Sequence, residues 1–179
     1  MSLDLRYIII PGCIGQFYKL YCHDFSMKIV NTSNINEARK EIEGAFKDKK
    51  KIIVVAKDEE FNRKILENDK VDVIFGFENN GKQDRLKQRD SGLNQVLCKL
   101  AKENKISIGL DFKDIEKKDV LILERIIQNI RLCKKYNVQM VLINSSKDFR
   151  DLFFLLLTLG MTTKMAKFAV DNCFKISSD

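Results

Sequence analysis

The chain has 179 residues and a formal net charge of +7, with 32 Lys and Arg, 25 Asp and Glu, one histidine and one proline. This length fits one domain over residues 1–179, which can bury a core without disulfides or metals. No apolar run reaches the roughly 18 residues that a membrane helix needs, and the N-terminus lacks the order of a signal peptide, so we predict a cytoplasmic protein without membrane segments.

Apolar runs of strand length recur along the chain. Most are rich in Ile and Val and lack clean alternation, which is typical of strands buried on both faces of a parallel sheet. The predicted strands are Tyr7–Ile10, Met27–Val30, Ile52–Ala56, Val71–Phe77, Ile106–Leu110 and Val138–Ile143.

Helical patterns separate these runs. Residues 34–47 and 58–67 each place apolar side chains on one stripe. A third helix is predicted to follow Asp90 and Ser91, either of which suits an N-cap, and a longer one extends from about Glu116 to Tyr136. The chain therefore alternates strand and helix.

The sequence pattern after Val138 predicts a helix hairpin. After Val138–Ile143 a helix runs through Arg150–Leu152, Gly160 ends it, and Thr162 opens another. Repeated strand and helix units imply parallel strands with right-handed crossovers, which occur in open doubly wound sheets and in barrels. Periodicity does not separate these two, but (β/α) barrels usually need about 250 residues, so a barrel here would be trimmed.

Polar residues follow several predicted strands, where α/β proteins build their sites. They are Asn31–Ser33, Lys57, Asp58, Glu78, Asp111 and Asn144–Ser146. The same residue types are preferred helix caps. These residues can therefore be interpreted either as a functional site or as a set of helix caps. Neither a dinucleotide-binding glycine pattern nor a phosphate-binding loop of the Walker type is present.

The most basic part of the chain is residues 79–105, which carries +4 of the net charge of +7. Lys82, Arg85, Lys87 and Arg89 lie within eight residues, among asparagines and glutamines. Guanidinium and amide groups bind phosphate oxygens well, although a solvated surface loop has the same composition.

Two ordered motifs give the chain a family resemblance. The segment RDSGLNQVLCKLAKENKISIGLDF covers Arg89–Phe112, and SSKDFRDLFFLLLTLGMTTKMAKFAV covers Ser145–Val170. Together they resemble ribonuclease P protein component 3, the archaeal relative of the eukaryotic thirty-kilodalton subunit. The resemblance extends over about residues 71–175 and includes Asp90–Asn104. Its other matching positions are Ser145-Ser146, Arg150-Asp151-Leu152, Leu159-Gly160-Met161 and Ala166-Lys167.

The resemblance implies an α/β fold of the TIM-barrel-like kind, trimmed or incomplete, with the C-terminal helix hairpin. The resemblance also implies that this fold is related to the polymerase and histidinol phosphatase superfamily, without that superfamily's metal-binding histidines. The implied function is to assist a catalytic RNA that removes 5′ leaders from precursor tRNA. We therefore expect no catalytic residue, metal or cofactor in the chain itself.

The resemblance also implies partners and contacts. The partners are ribonuclease P RNA and a second small ribonuclease P protein subunit, in a heterodimer or heterotetramer, with precursor tRNA contacted indirectly. The residues expected to contact RNA phosphates are Arg85, Lys87, Arg89, Lys102, Arg150 and Lys167.

Two other classes of function remain open. A metal-dependent phosphoesterase of a related barrel superfamily would use Asp58, Glu78, Asp111 and His23 at the mouth of the barrel. A protein scaffold would dock a partner on the apolar surface of residues 153–161. Within it, Phe153–Leu157 is apolar all round the helix, which burial in the core explains equally well.

Overall fold

The computed structural model describes residues 26–79, 84, 89–117, 119–145 and 148–174. The strands are β1 (Met27–Val30), β2 (Lys51–Val55), β3 (Val73–Phe75), β4 (Ser107–Asp111) and β5 (Met140–Ile143). The helices are α1 (Ile35–Lys47), α2 (Glu59–Leu66), α3 (Gln95–Glu103), α4 (Phe112–Glu116), α5 (Val120–Tyr136), α6 (Phe149–Thr158) and α7 (Thr163–Asp171), and a 3-10 helix spans Phe77–Asn79. The predicted strand Tyr7–Ile10 lies outside the described residues.

The order of the strands decides between the two architectures that the sequence left open. All five strands are parallel, and they are hydrogen-bonded in chain order from β1 to β5. A doubly wound sheet reverses its order at a switch point, and the sheet of the described residues has no such reversal. The α/β fold with barrel-like winding is confirmed, and the barrel is not closed within the described residues.

Both faces of the sheet are buried, which explains why the strands lack alternation. One face packs against the helices in the larger core, and its strand residues include Ile52, Val54, Ile74, Ile108, Leu110 and Leu142. The opposite face holds a smaller core of Ile53, Val73, Val141 and Ile143, against which Phe75, Phe168 and Phe174 pack. We call this smaller cluster the inner core.

The sheet curls around the inner core. After α7 the chain returns to β5, where the Phe174 N–H donates to the Leu142 carbonyl at 2.9 Å and the Phe174 carbonyl accepts from the Asn144 N–H at 2.8 Å. Phe174 thus occupies a sixth position in the sheet, four strand spacings from β2, or about 19 Å in a flat sheet. Yet the Lys51 Nζ lies 4.4 Å from the centre of the Phe174 ring. The sheet therefore bends as the wall of a barrel does.

The helix starts differ in part from the prediction. Neither Asp90 nor Ser91 caps α3; the Asn94 side chain does so, accepting from the Val96 and Leu97 N–H groups at 2.9 Å. Asp90 instead accepts from the Gly92 N–H at 3.1 Å in a tight turn before the helix.

The long helix begins later than predicted. It starts at Val120 rather than Glu116, because the Asp119 side chain accepts from the Leu121 N–H and caps it. The residues before it form the separate helix α4. The C-terminal hairpin of α6 and α7 is confirmed, with Gly160 at a φ of 103° between the two helices. Over the residues that are described, no helix combines the length and apolar character needed to cross a membrane.

Candidate functional site

A cavity of about 450 Å³ lies at the carboxyl ends of the strands. We call this end of the sheet the mouth. The polar side chains that line the cavity are Lys57, Asp58, Asn79, Asp111 and Asp114. The sequence thus correctly placed Lys57, Asp58 and Asp111 together, as expected for residues that follow neighbouring parallel strands.

The carboxylates of the mouth are engaged in local hydrogen bonds. Asp58 caps α2 by accepting from the Phe61 N–H at 3.4 Å. Asp111 caps α4 through the Lys113 N–H at 3.0 Å, and both its oxygens lie 3.1 Å from the Asn144 amide nitrogen. Of the two interpretations that the sequence left open, helix capping accounts for these two residues.

Asp114 was not singled out from the sequence. It is 5% exposed and accepts from the Asn79 amide and from the Lys117 ammonium, each at 2.6 Å. Among the described residues, no three His, Cys, Asp or Glu side chains are placed to hold one metal ion. His23, the fourth residue of the phosphoesterase hypothesis, lies outside the described residues.

Glu78 is buried beneath the mouth, with 1% of its surface exposed. Burial raises the pKa of its carboxyl to about 7; the Glu78 backbone N–H opposes this, while the charges of Asp114 and Asp111 add to it. One of its oxygens, Oε1, is buried without a hydrogen-bond partner. A carboxyl with this pKa is partly protonated at neutral pH.

A network of ion pairs lies beside the mouth and joins α5 to Asp84 and Arg89, which belong to the basic segment of residues 79–105. Arg125 is 12% exposed, and its Nε and Nη2 lie 3.3 and 3.1 Å from Asp84 Oδ1. Arg89 Nη1 is 3.0 Å from Asp84 Oδ2, and Arg89 Nη2 is 2.5 Å from Glu124 Oε2. The N–H of Asp90 lowers the pKa of Asp84 most, and the two arginines lower it further.

The six residues predicted to contact RNA fall in different places. Arg85 and Lys87 lie outside the described residues. Arg89 precedes α3 and Arg150 lies in the first turn of α6, so both are at the mouth. Lys167 is exposed on α7.

Lys102 lies at the other end of the sheet from Arg89 and Arg150. It is in the last turn of α3, a helix about 14 Å long that begins at the mouth. Two residues later, the Asn104 amide donates a hydrogen bond to the Leu66 carbonyl at the end of α2. The described residues among the six predicted RNA contacts therefore do not all lie on one surface.

The apolar run of α6 is only partly buried. Leu152 and Leu156 are in the core, whereas Phe154 is 64% exposed and stands edge-on to Phe153 with ring centres 5.7 Å apart. The apolar character all round this helix therefore does not reflect burial on every side.

Comparison with known proteins places these features in a family context. The chain is 28% identical over 134 residues to ribonuclease P protein component 3 of Methanococcus maripaludis, a stretch that is 70% of this chain and 54% of the relative. It is 32% identical over 114 residues to the protein of the same name from Methanosarcina acetivorans, covering 61% of this chain and 44% of the relative. The resemblance to ribonuclease P protein component 3 is confirmed.

A structural comparison agrees with the sequence relatives. The fold is similar to a chain in the cryo-EM structure of archaeal ribonuclease P with mature tRNA, with a TM-score of 0.66 and 25% identity. The similarity covers 83% of this chain and 65% of that one. No family model matches the chain, and it spans about half the length of the component 3 proteins that it matches.

Proposed function

We propose that the chain is an RNA-binding, non-catalytic subunit of ribonuclease P that assists the catalytic RNA in the 5′ maturation of precursor tRNA. The observation that carries this proposal is the similarity of 83% of the chain to a chain of archaeal ribonuclease P in complex with tRNA. The relatives named ribonuclease P protein component 3 support the same assignment.

The charge distribution supports an RNA partner. Residues 79–105 hold more than half of the net positive charge. Among the described cations, Arg89 of this segment and Arg150 both lie at the mouth. Cations at one end of a protein attract phosphate groups and release the counterions that accompany them.

We propose the partners accordingly. The chain binds ribonuclease P RNA together with a second small ribonuclease P protein subunit, as a heterodimer or heterotetramer, and reaches precursor tRNA indirectly. This assembly acts in the cytoplasm, and the chain contributes to it as the single barrel-like domain of residues 1–179.

The first prediction concerns salt. If the six predicted cations contact phosphates, the affinity for ribonuclease P RNA should fall by about a thousandfold between 50 and 200 mM monovalent salt, as measured by filter binding. Arg150→Ala should reduce the slope of the logarithm of affinity against the logarithm of salt by about one unit.

Arg131→Ala is the matched control for this measurement. Arg131 is exposed in the half of α5 that lies away from the mouth and is not among the six predicted contacts. This variant should keep the slope of the wild type. A flat salt titration of the wild-type protein would rule out phosphate binding as the main source of affinity.

The second prediction separates the accessory subunit from an enzyme. At limiting magnesium, adding the chain to ribonuclease P RNA and the second small subunit should raise the rate of precursor tRNA cleavage by about tenfold or more, equivalent to about 1.4 kcal/mol. The isolated chain should not cleave phosphoester substrates. Turnover by the isolated chain, with a stoichiometric divalent metal in elemental analysis, would instead support the phosphoesterase hypothesis.

A further inference from the structure

An acidic residue lies in the middle of the most basic segment. Asp84 stands between Lys82 and Arg85 in the sequence, where a negative charge opposes phosphate binding. Its side chain is only 14% exposed, and both of its oxygens face cations or an N–H group of the protein. Asp84 therefore has a structural partner that accounts for its position.

That partner is Arg125 on α5. Its Nη1 donates to the Glu78 carbonyl at 3.0 Å, while Nε and Nη2 reach Asp84 Oδ1. One guanidinium thus fastens two points of the chain, six residues apart, to the same helix. Bonds of this charge-assisted kind are stronger than those between neutral groups.

A third point of the segment is fixed through Asp84 itself. Asp84 Oδ1 accepts from the Asp90 N–H at 2.9 Å, and Oδ2 lies 3.0 Å from Arg89 Nη1. Arg89 in turn pairs with Glu124, the neighbour of Arg125 on α5. The chain is therefore attached to α5 at Glu78, at Asp84 and at Arg89.

We infer that Asp84 and Arg125 are positioning residues, which attach Glu78, Asp84 and Arg89 to α5, and that RNA binding requires this attachment. Arg125 is too deeply placed to serve as the main phosphate ligand, and Asp84 repels phosphate. Arg89 completes the arrangement by bridging Asp84 and Glu124. The consequence for RNA rests on the proposed function, whereas the anchoring itself does not.

For the substitution Asp84→Asn, the anchor and the charge alone predict opposite changes in RNA affinity. Asp84→Asn removes a negative charge from the segment at almost constant shape, so electrostatics by itself predicts tighter RNA binding and a steeper salt slope. Loss of the anchor predicts weaker binding by about tenfold and a shallower slope, because Asp84 and Arg89 lose their attachment to α5. Asp84→Glu, which restores the charge, should recover part of the affinity.

The control substitution is Asp69→Asn. Asp69 is exposed after the end of α2, at the end of the sheet opposite the mouth, so this change removes the same charge without touching the anchor. It should leave RNA affinity close to that of the wild type. Arg125→Lys is the second test variant, because lysine keeps the charge but lacks the planar fork that reaches Glu78 and Asp84 together.

A measurement without RNA tests the anchoring directly. Limited trypsin digestion should cut after Lys82, Arg85 or Lys87 several times faster in Asp84→Asn and Arg125→Lys than in the wild type or Asp69→Asn, with all four folded by circular dichroism. Unchanged cleavage, or equal or tighter RNA binding by Asp84→Asn, overturns the inference. If the wild type itself does not bind RNA, the proposed function fails, and the digestion decides the anchoring on its own.

Discussion

Replacing Glu78 with glutamine is expected to stabilise the folded protein by about 3 kcal/mol at pH 8 and to change its stability little near pH 4.5. The reason is that the buried carboxyl must ionise at high pH in a place where its charge is not compensated. Its pKa rises from 4.5 to about 7, chiefly through burial, and the charges of Asp114 and Asp111 contribute as well. Each unit of pKa difference between the folded and unfolded states corresponds to about 1.4 kcal/mol.

The direction follows from proton binding. Below pH 4.5 the carboxyl is protonated in both states, and it does not penalise folding. Between pH 4.5 and 7 the unfolded chain loses the proton while the folded protein keeps it, so the free energy of unfolding falls as the pH rises. Above pH 7 both states are ionised, and the penalty stays constant.

The difference in unfolding free energy between Glu78→Gln and the wild type reports on Glu78 alone, because the other titrating groups are the same in both proteins. Urea unfolding of both proteins from pH 4.5 to 8.5 should give a stability difference that grows through this window and levels off above pH 7. Glutamine retains an oxygen for the Glu78 backbone N–H and carries no charge. A difference that is constant with pH would show that the carboxyl does not titrate as its burial implies.

The strands of this fold were predictable because their signal is local. Runs of aliphatic residues such as those of β2 and β5 are long enough to be strands and too apolar for an exposed face. The sheet buries both faces of these strands, as that composition requires. Lys57, Asp58 and Asp111 were found at the mouth for the same reason, since they directly follow strand residues.

Features that depend on distant contacts were not predictable in this way. Asp84 and Arg125 are 41 residues apart, and nothing in the composition of the basic segment indicates that its aspartate binds α5. Glu124 and Arg125 together interrupt the apolar first half of α5, and this pattern does not indicate which of them faces a partner. The cap of α3 was misplaced because Asp90, Ser91 and Asn94 all have side chains that cap well, and only the fold selects among them.

Gly109→Ala, which adds a single methyl group, is expected to cause a large loss of stability. It lies in β4, between β3 and β5, and faces the inner core, where an added Cβ would be 2.6 Å from Ile143 Cδ1 and 2.7 Å from Phe75 Cβ. The Ile143 methyl group can rotate away, but Phe75 Cβ is attached to the backbone of β3, paired directly with Gly109. The two strands must therefore move apart, and Gly109→Ala should cost about 3 kcal/mol, the upper end for overpacking.

The same substitution at Gly44 should have the opposite effect. Gly44 lies in α1, and an added Cβ meets no atom within 4 Å, so alanine should stabilise the helix by about 1 kcal/mol. Urea unfolding measures the stability of both variants.

Ile143→Val removes one of the two clashing atoms, so it should destabilise the Gly109→Ala protein less than it does the wild type, with a coupling of about 1 kcal/mol. Equal stability of Gly109→Ala and the wild type would mean that the inner core has room for a methyl group.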